Sequence, residues 1–275
     1  MKIALSEIST PGASYAEDIA AYRAAGFDGI GIWEFKLPQG DDEASAQLLR
    51  ESGLGAANCV PAVPSFLQLA LPGMEGPADP QERVDALCAS MARLARFAPA
   101  SVVCLTGPVG DRSIDEARAL VCEGLTQVAA AARAAGVRLG LEPTHLSESA
   151  ETSFVSSIGE AIALLDEAGL RDVGVMVDSV HVWDTAQLAA EVATHAGRVT
   201  GLHVADKAAR GAPGRLLPGE GVTHPERLVA LLCEAGFDGY ADVEIFSTPQ
   251  DFWGLPVDEA ARRAAAAARQ LIGQS

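Results

Sequence analysis

Short apolar runs alternate along the chain with longer segments in which apolar residues recur every three or four positions. The runs predict buried strands, and the longer segments predict amphipathic helices. Glycine follows several helical segments, for example at Gly26 and Gly136, where it is a common C-cap. The predicted strands are Lys2–Leu5, Gly29–Trp33, Gly55–Ala62, Ser101–Leu105, Val137–Leu141, Val173–Val177, Arg198–Val204 and Tyr240–Val243. The predicted helices are Tyr15–Ala25, Asp41–Ser52, Pro80–Phe97, Asp111–Ala135, Ser157–Ala168, Thr185–His195, Pro225–Ala235 and Val257–Ile272.

The strands and helices alternate without interruption. Uniform alternation predicts a parallel sheet with right-handed crossovers, and eight units in about 250 residues fit a closed (β/α)8 TIM barrel. The segment Ala25–Gly29, which ends one helix and starts a strand, recurs as Ala235–Gly239. We therefore expect an α/β protein in which residues 1–275 form one barrel domain. The alternative is an open doubly wound sheet, but no glycine-rich phosphate motif follows the first strand.

The net charge and the cysteine content limit which binding partners and which cellular compartment we expect. The 275 residues are 49% hydrophobic, which is enough for a large core, and the formal net charge is −17. A strongly acidic surface repels phosphate backbones, so we expect no nucleic-acid partner and no membrane partner. Five widely spaced cysteines without a C-x-x-C pair predict reduced, buried thiols, and no apolar run is long enough for a membrane span. These features favour a cytoplasmic protein, and they leave assembly into a homo-oligomer open.

Acids and histidines follow the last four predicted strands. They are Glu142 and His145 after the fifth strand, Asp178 and His181 after the sixth, His203 and Asp206 after the seventh, and Glu244 after the eighth. In a TIM barrel these strand ends meet at one mouth, which is where active sites lie. Three carboxylates held together repel one another unless a positive charge lies between them.

A single divalent metal ion is the simplest source of that charge. Its expected ligands are Glu142, Asp178, His203 and Glu244. This oxygen-rich set with one imidazole suits Mn2+, Mg2+ or Co2+, and it is also compatible with Zn2+. Any one of these acids alone would more often be a solvated loop residue, so the prediction depends on all four strand ends together.

Several motifs resemble those of the xylose isomerase-like TIM barrels, and within that family the inosose isomerase and ketose 3-epimerase group of sugar isomerases and epimerases. The resemblance covers nearly the whole chain and is strongest from Val137 onward. The motifs that carry it are LEP at 141–143, VDSVH at 177–181, HVAD at 203–206, RLLPGEG at 215–221 and VEIF at 243–246.

The resemblance implies a role for each matching residue. Glu142 and Glu244 would bind the metal and also act as the acid/base pair, whereas Asp178 and His203 would be ligands only. His181 and Arg215 would hydrogen-bond a small polyhydroxy ketone substrate. The metal would act as a Lewis acid that stabilises an enediolate, and a positioned acid/base group typically contributes about 10²–10⁴-fold in rate. Glutamates on opposite faces of the substrate permit epimerisation, and one base that shuttles the proton permits isomerisation.

Other residues near the predicted mouth have two interpretations each. His145 is a candidate for binding the substrate or for a hydrogen bond within its loop. Four aromatic residues would either stack on a sugar ring or pack against the protein: Trp183, Trp33, Trp253 and Phe66. Asp206 and Lys207 would support His203 or form a surface ion pair. Arg210 is the alternative to Arg215 as the arginine that binds the substrate, and we favour Arg215. Glu7 and Glu34 would bind sugar hydroxyls or remain solvated at the rim, and we expect His195 and His224 to be structural.

Three other functions remain as alternatives to a sugar isomerase. A lyase of the 3-dehydroshikimate dehydratase type uses the same scaffold and would eliminate water from the enolate. An endonuclease would need a multi-zinc cluster with extra histidines, but Asn58 and Thr106 stand at the third and fourth strands. A non-catalytic sugar-binding barrel would require the four ligands to be vestigial.

Overall fold

Eight parallel strands close into a barrel in the computed structural model, which describes residues 1–273. Neighbouring strands pair in chain order, and β1 pairs with β8 through Ile3–Ala241 and Leu5–Val243. The closed TIM barrel is thereby confirmed, and the open doubly wound sheet is excluded. The strands are β1 (Lys2–Ser6), β2 (Gly29–Trp33), β3 (Gly55–Val60), β4 (Ser101–Cys104), β5 (Leu139–Leu141), β6 (Gly174–Asp178), β7 (Val199–Val204) and β8 (Tyr240–Val243).

Helices surround the barrel, and their ends follow local capping chemistry. Ser14 caps the first helix with a reciprocal hydrogen-bond pair to Glu17, and Gly26 ends it in the left-handed conformation. The helices are α1 (Tyr15–Ala25), α2 (Asp42–Ser52), α3 (Pro80–Leu94), α4 (Ile114–Ala135), α5 (Ile158–Glu167), α6 (Ser179–Val182), α7 (Leu188–His195), α8 (Pro225–Glu234) and α9 (Val257–Leu271).

Several predicted boundaries differ from the structure by a few residues, and one short helix was not predicted. The fourth helix begins at Ile114 rather than Asp111 because Ser113 forms the capping box with Glu116. The short helix α6 follows β6 directly and was not predicted, and Asp178 caps it by accepting from the Val180 N–H at 3.0 Å. The helix predicted from Thr185 begins only at Leu188.

The main hydrophobic core lies between the strands and the helices, whereas part of the barrel interior is polar. Glycine makes room for this polar interior at two strand positions. A Cβ atom on Gly31 would lie 2.4 Å from Asp242 Oδ2, and one on Gly201 would lie 2.2 Å from Asn58 Oδ1. Asn58 Nδ2 donates to Asp242 Oδ2 at 3.1 Å, so one oxygen of the buried Asp242 carboxylate is paired below the mouth.

Most of the expectations for the cysteines and for membrane-spanning helices agree with the structure. All five cysteines are free, and Cys59 and Cys104 are buried, but Cys233 is exposed, so the prediction of buried thiols was wrong there. Within residues 1–273, no helix is both long and apolar enough to cross a bilayer.

Candidate metal centre and active site

A cavity of about 470 Å³ opens at the C-terminal ends of the strands. Glu142, His181, His203, Arg215 and Glu244 all line it, so the structure brings these predicted residues to one place. The volume lies within the range of about 300–1,000 Å³ that is typical of small-molecule sites.

Strand pairing positions the predicted metal ligands. Asp178 at the end of β6 is in register with His203 in β7. Glu142 Oε1 lies 3.3 Å and Glu244 Oε2 lies 3.6 Å from His203 Nδ1. Glu142, Asp178 and His203 are buried, and each offers one ligand atom within 4.8 Å of the others.

Arg215 provides the positive charge among these acids. Its Nη1 lies 2.5 Å from Glu244 Oε2 and 2.8 Å from Asp178 Oδ2, and its guanidinium lies over the Phe246 ring at 4.9 Å. The contact with Glu244 is a hydrogen bond, whereas Asp178 Oδ2 accepts no hydrogen bond from any described residue. A buried carboxylate oxygen without a donor, beside a second carboxylate and an imidazole, suits a divalent cation.

The charges in the cluster shift the pKa values of its members. Burial opposes ionisation of Asp178, but Arg215, His181 and His203 outweigh it and lower its pKa to about 2. Burial favours the neutral form of His203 and by itself would lower the pKa of this imidazole, but Glu244, Glu142 and Asp242 raise it to about 10. Burial raises the pKa of Glu244, although His203 and Arg215 act against that effect. Without metal, His203 is therefore an imidazolium at neutral pH.

We expect metal affinity to rise with pH, because a metal ion must displace the His203 proton. The proton is bound below a pKa of about 10, so each pH unit between about 6 and 8 should strengthen binding by up to about tenfold. Calorimetric titration of Mn2+ or Co2+ in buffers of different ionisation enthalpy measures the affinity and the protons released. A pH-independent affinity without proton release would contradict this assignment.

His181 is oriented by the backbone of the β5 loop. Its Nδ1 accepts from the His145 N–H at 3.2 Å, so a neutral ring carries its proton on Nε2. Nε2 lies 3.7 Å from Asp178 Oδ2 and 3.4 Å from Arg215 Nη2. The shorter contact at Nδ1 favours this tautomer, so His181 presents a donor toward Asp178, and its approach to Arg215 Nη2, itself a donor, is a nonbonded contact.

Two of the predicted substrate residues lie behind the cavity wall. The His145 ring contacts Ser147 Oγ at 2.7 Å and Asp184 Oδ2 at 3.1 Å. The Trp183 ring packs against the Arg210 guanidinium at 5.2 Å. Neither ring lines the cavity.

The predicted loop residues have separate tasks. Asp206 accepts from the backbone of Lys207, Gly221 and Thr223, so it organises the loop rather than supporting His203. Lys207 Nζ binds Glu148 Oε1 at 2.9 Å, and both residues line the cavity.

The acids at the ends of β1 and β2 are neither solvated nor in the cavity. Glu7 Oε2 accepts from the Trp33 N–H at 2.9 Å, and Glu34 Oε2 accepts from the Ala62 N–H at 2.9 Å and from Ser90 Oγ at 2.6 Å. Both interpretations offered for these acids were therefore wrong, because the acids join neighbouring barrel units. Trp33 lines the cavity.

Asp242 was missed by the sequence analysis. Its Oδ2 lies 3.8 Å from His203 Nε2, on the side opposite Glu142 and Glu244. His203 Nε2 and Asp242 Oδ1 have no hydrogen-bond partner among the described residues. The available signal was its position two residues before Glu244 in a predicted strand, which puts both acids on the inner face.

We expect Asp242→Asn to weaken metal binding by about 10–100-fold, the usual effect of losing a carboxylate behind a ligating histidine. The Asp242 carboxylate favours a proton on Nε2, which leaves Nδ1 free to bind an ion. Calorimetric Mn2+ titration measures the affinity, and a thermal unfolding scan shows whether the variant is folded. An unchanged affinity in a folded variant would mean that Asp242 does not orient His203.

Solved structures of other proteins share this architecture. Protein SMc04130 from Sinorhizobium meliloti 1021 is 25% identical, with a TM-score of 0.85 over 98% of each chain. The IOLI protein, solved with a bound zinc atom, is 18% identical, with a TM-score of 0.80 over 99% of this chain and 98% of its own. D-psicose 3-epimerase from Clostridium cellulolyticum H10, solved with D-tagatose, is 17% identical, with a TM-score of 0.76 over 99% of each chain. The last two similarities are evidence for the fold.

The family model assigns most of the chain. Comparison with curated protein sequences gives no significant match. The model of the xylose isomerase-like TIM barrel, in contrast, matches residues 19–271, which include every strand from β2 to β8 and all four predicted metal ligands. The chain therefore belongs to the xylose isomerase-like TIM barrel family.

Proposed function

We propose that the protein is a divalent-metal-dependent isomerase or epimerase of a keto sugar or keto cyclitol. The observation that carries the proposal is that Glu142 and Glu244 both approach His203 Nδ1, with Asp178 buried beside them. Family membership and the epimerase among the structural neighbours support the same reaction class.

Four residues would hold the metal ion: Glu142, Asp178, His203 and Glu244. The bound ion supplies Lewis acidity toward the substrate carbonyl and the negative charge of the enediolate. The donor set favours Mn2+, Mg2+ or Co2+, and the zinc in the IOLI structure adds support for Zn2+.

The two glutamates perform the proton transfers in this mechanism. One glutamate takes the proton from the carbon next to the carbonyl, and the other returns it. Return to the opposite face of the same carbon gives an epimer, and return to the neighbouring carbon gives an isomer. Burial raises the pKa of Glu244, which makes this carboxylate a better proton acceptor.

Two basic residues hold the substrate oxygens. His181 donates from Nε2 to a hydroxyl or carbonyl oxygen. Arg215 holds the Glu244 carboxylate in place and stabilises negative charge on the substrate through its remaining N–H groups.

Incubation with ketohexoses and inososes tests the proposed function. We expect metal-dependent formation of an isomer or epimer, detected by chromatography, which is lost in Glu142→Gln. The release of water with a new ultraviolet chromophore would instead indicate a dehydratase. Metal binding without conversion of any member of the panel would count against the proposal.

A further inference from the structure

The cavity has two chemically different walls. The eight lining residues contributed by the chain before residue 106 are all apolar. We call this side the apolar wall, and it includes Trp33, Val60, Leu69, Leu71, Met74 and Leu105. The polar lining residues, including the candidate metal ligands, all come from residue 142 onward.

Polar side chains near the apolar wall are either paired with the protein or enclosed away from the cavity. The Trp33 indole N–H donates to Ser6 Oγ at 2.8 Å, so its only side-chain donor is used. Glu7 and Glu34 are buried and do not line the cavity, and one oxygen of each carboxylate accepts from a neighbouring barrel unit. Glu7 Oε1 has no hydrogen-bond partner among the described residues, but Glu7 is fully enclosed by the protein. Among the described residues, the apolar wall therefore offers a ligand no free hydrogen-bonding side chain.

This asymmetry restricts the ligand. A hydroxyl group placed against the apolar wall loses its water partners and gains no replacement, which is unfavourable. A free ketose carries hydroxyls along its whole length, so one part of it would meet this penalty. The cavity volume of about 470 Å³ also belongs to the range of drug-sized ligands.

We propose that the substrate is an amphipathic α-hydroxyketone, a keto sugar or keto cyclitol that carries an alkyl or aryl substituent. Its hydroxyketone end lies between Glu142 and Glu244, and its substituent lies on the apolar wall. This inference rests on the proposed function and specifies its substrate class.

Two keto sugars that differ only in the apolar group test the substrate class. We would compare methyl and phenyl 3-keto-β-D-glucopyranoside with the metal-loaded protein and follow exchange of the α-proton at C4 in D2O, because loss of the C2 proton could also expel phenolate from C1. Each buried methylene is worth about fourfold in binding, so we expect kcat/KM for the phenyl compound to be at least about tenfold higher. Equal values, or a preference for the methyl compound, would overturn the apolar-substituent proposal and leave the proposed function intact.

Matched substitutions test whether the apolar wall causes the preference for the phenyl compound. Leu71→Asn places a polar group of similar size on a half-buried loop residue of the apolar wall, and we expect it to reduce the phenyl-to-methyl ratio by about tenfold. Leu48→Asn makes the same change on the outer face of α2, where the side chain is 36% exposed, and should leave the ratio unchanged. A ratio that Leu71→Asn does not change would contradict the position of the substituent.

Glucosides that cannot react test binding to the apolar wall separately from the proposed function. If neither keto sugar exchanges a proton, the proposed function fails for these compounds, and calorimetry with methyl and phenyl β-D-glucopyranoside decides the rest. Tighter binding of the phenyl compound, lost in Leu71→Asn, would support an apolar subsite independently of catalysis. Equal binding of the two glucosides would overturn it.

Discussion

Glu244→Gln is expected to lower kcat by about 10²–10⁴-fold at saturating metal, the usual contribution of a positioned acid/base group. Glutamine keeps an oxygen atom near His203 and Arg215 but cannot carry the proton. Burial in the native protein favours proton uptake by Glu244, and the substitution removes that capacity. Steady-state kinetics at several metal concentrations separate the loss in kcat from weaker metal binding.

The control is Glu220→Gln, the same change at a carboxylate that is 48% exposed outside the cavity. Its kcat should remain within about twofold of the wild-type value, because exposed surface groups contribute little. If the two variants had similar kcat values, Glu244 would not be part of the acid/base pair.

Arg215→Met is expected to destabilise the metal-free protein by about 3–5 kcal/mol, because removal of one partner leaves the other buried charges unpaired. Arg215 lies within 2.8 Å of carboxylate oxygens of both Asp178 and Glu244. A divalent ion bound by the same carboxylates would restore the missing charge. The gain in unfolding temperature on adding Mn2+ should therefore be larger in the variant than in the wild type, whereas turnover should fall.

Arg210→Met is the matched control, since Arg210 lies on the same β7–α8 loop, is 64% exposed and pairs with Asp184. An exposed ion pair is worth about 0–1 kcal/mol, so this variant should unfold close to the wild-type temperature. An Arg215→Met protein that is equally stable without metal would show that Arg215 does not neutralise the cluster.

The candidate metal ligands could be located from the sequence because a parallel barrel fixes where its strand ends lie. Glu142, Asp178, His203 and Glu244 each follow a recognisable apolar strand, and the fold brings such positions to one mouth. Side-chain alternation in a strand also determines which residues point inward. Asp242 obeys the same rule, but a single acid in a strand gives no indication that it faces a histidine.

Residues on loops could not be placed with the same certainty. His145 lies only three residues after Glu142, yet its ring contacts Ser147 and Asp184, because the loop turns into a short 3-10 helix at Leu146–Glu148. Glu7 and Glu34 follow strands as Glu142 does, but backbone N–H groups of the neighbouring units donate hydrogen bonds to their carboxylates. These outcomes depend on contacts between segments far apart in sequence, which local patterns do not encode.

Deuterium uptake by NMR tests the central claim most directly. Metal-loaded protein in D2O is incubated with ketohexoses, inososes and the two 3-keto-β-D-glucopyranosides, next to metal-free protein and Glu244→Gln. The account predicts exchange of one α-proton in at least one substrate, which requires metal and is lost in the variant. Absence of exchange on every compound, while metal remains bound, would contradict enolisation by the glutamate pair.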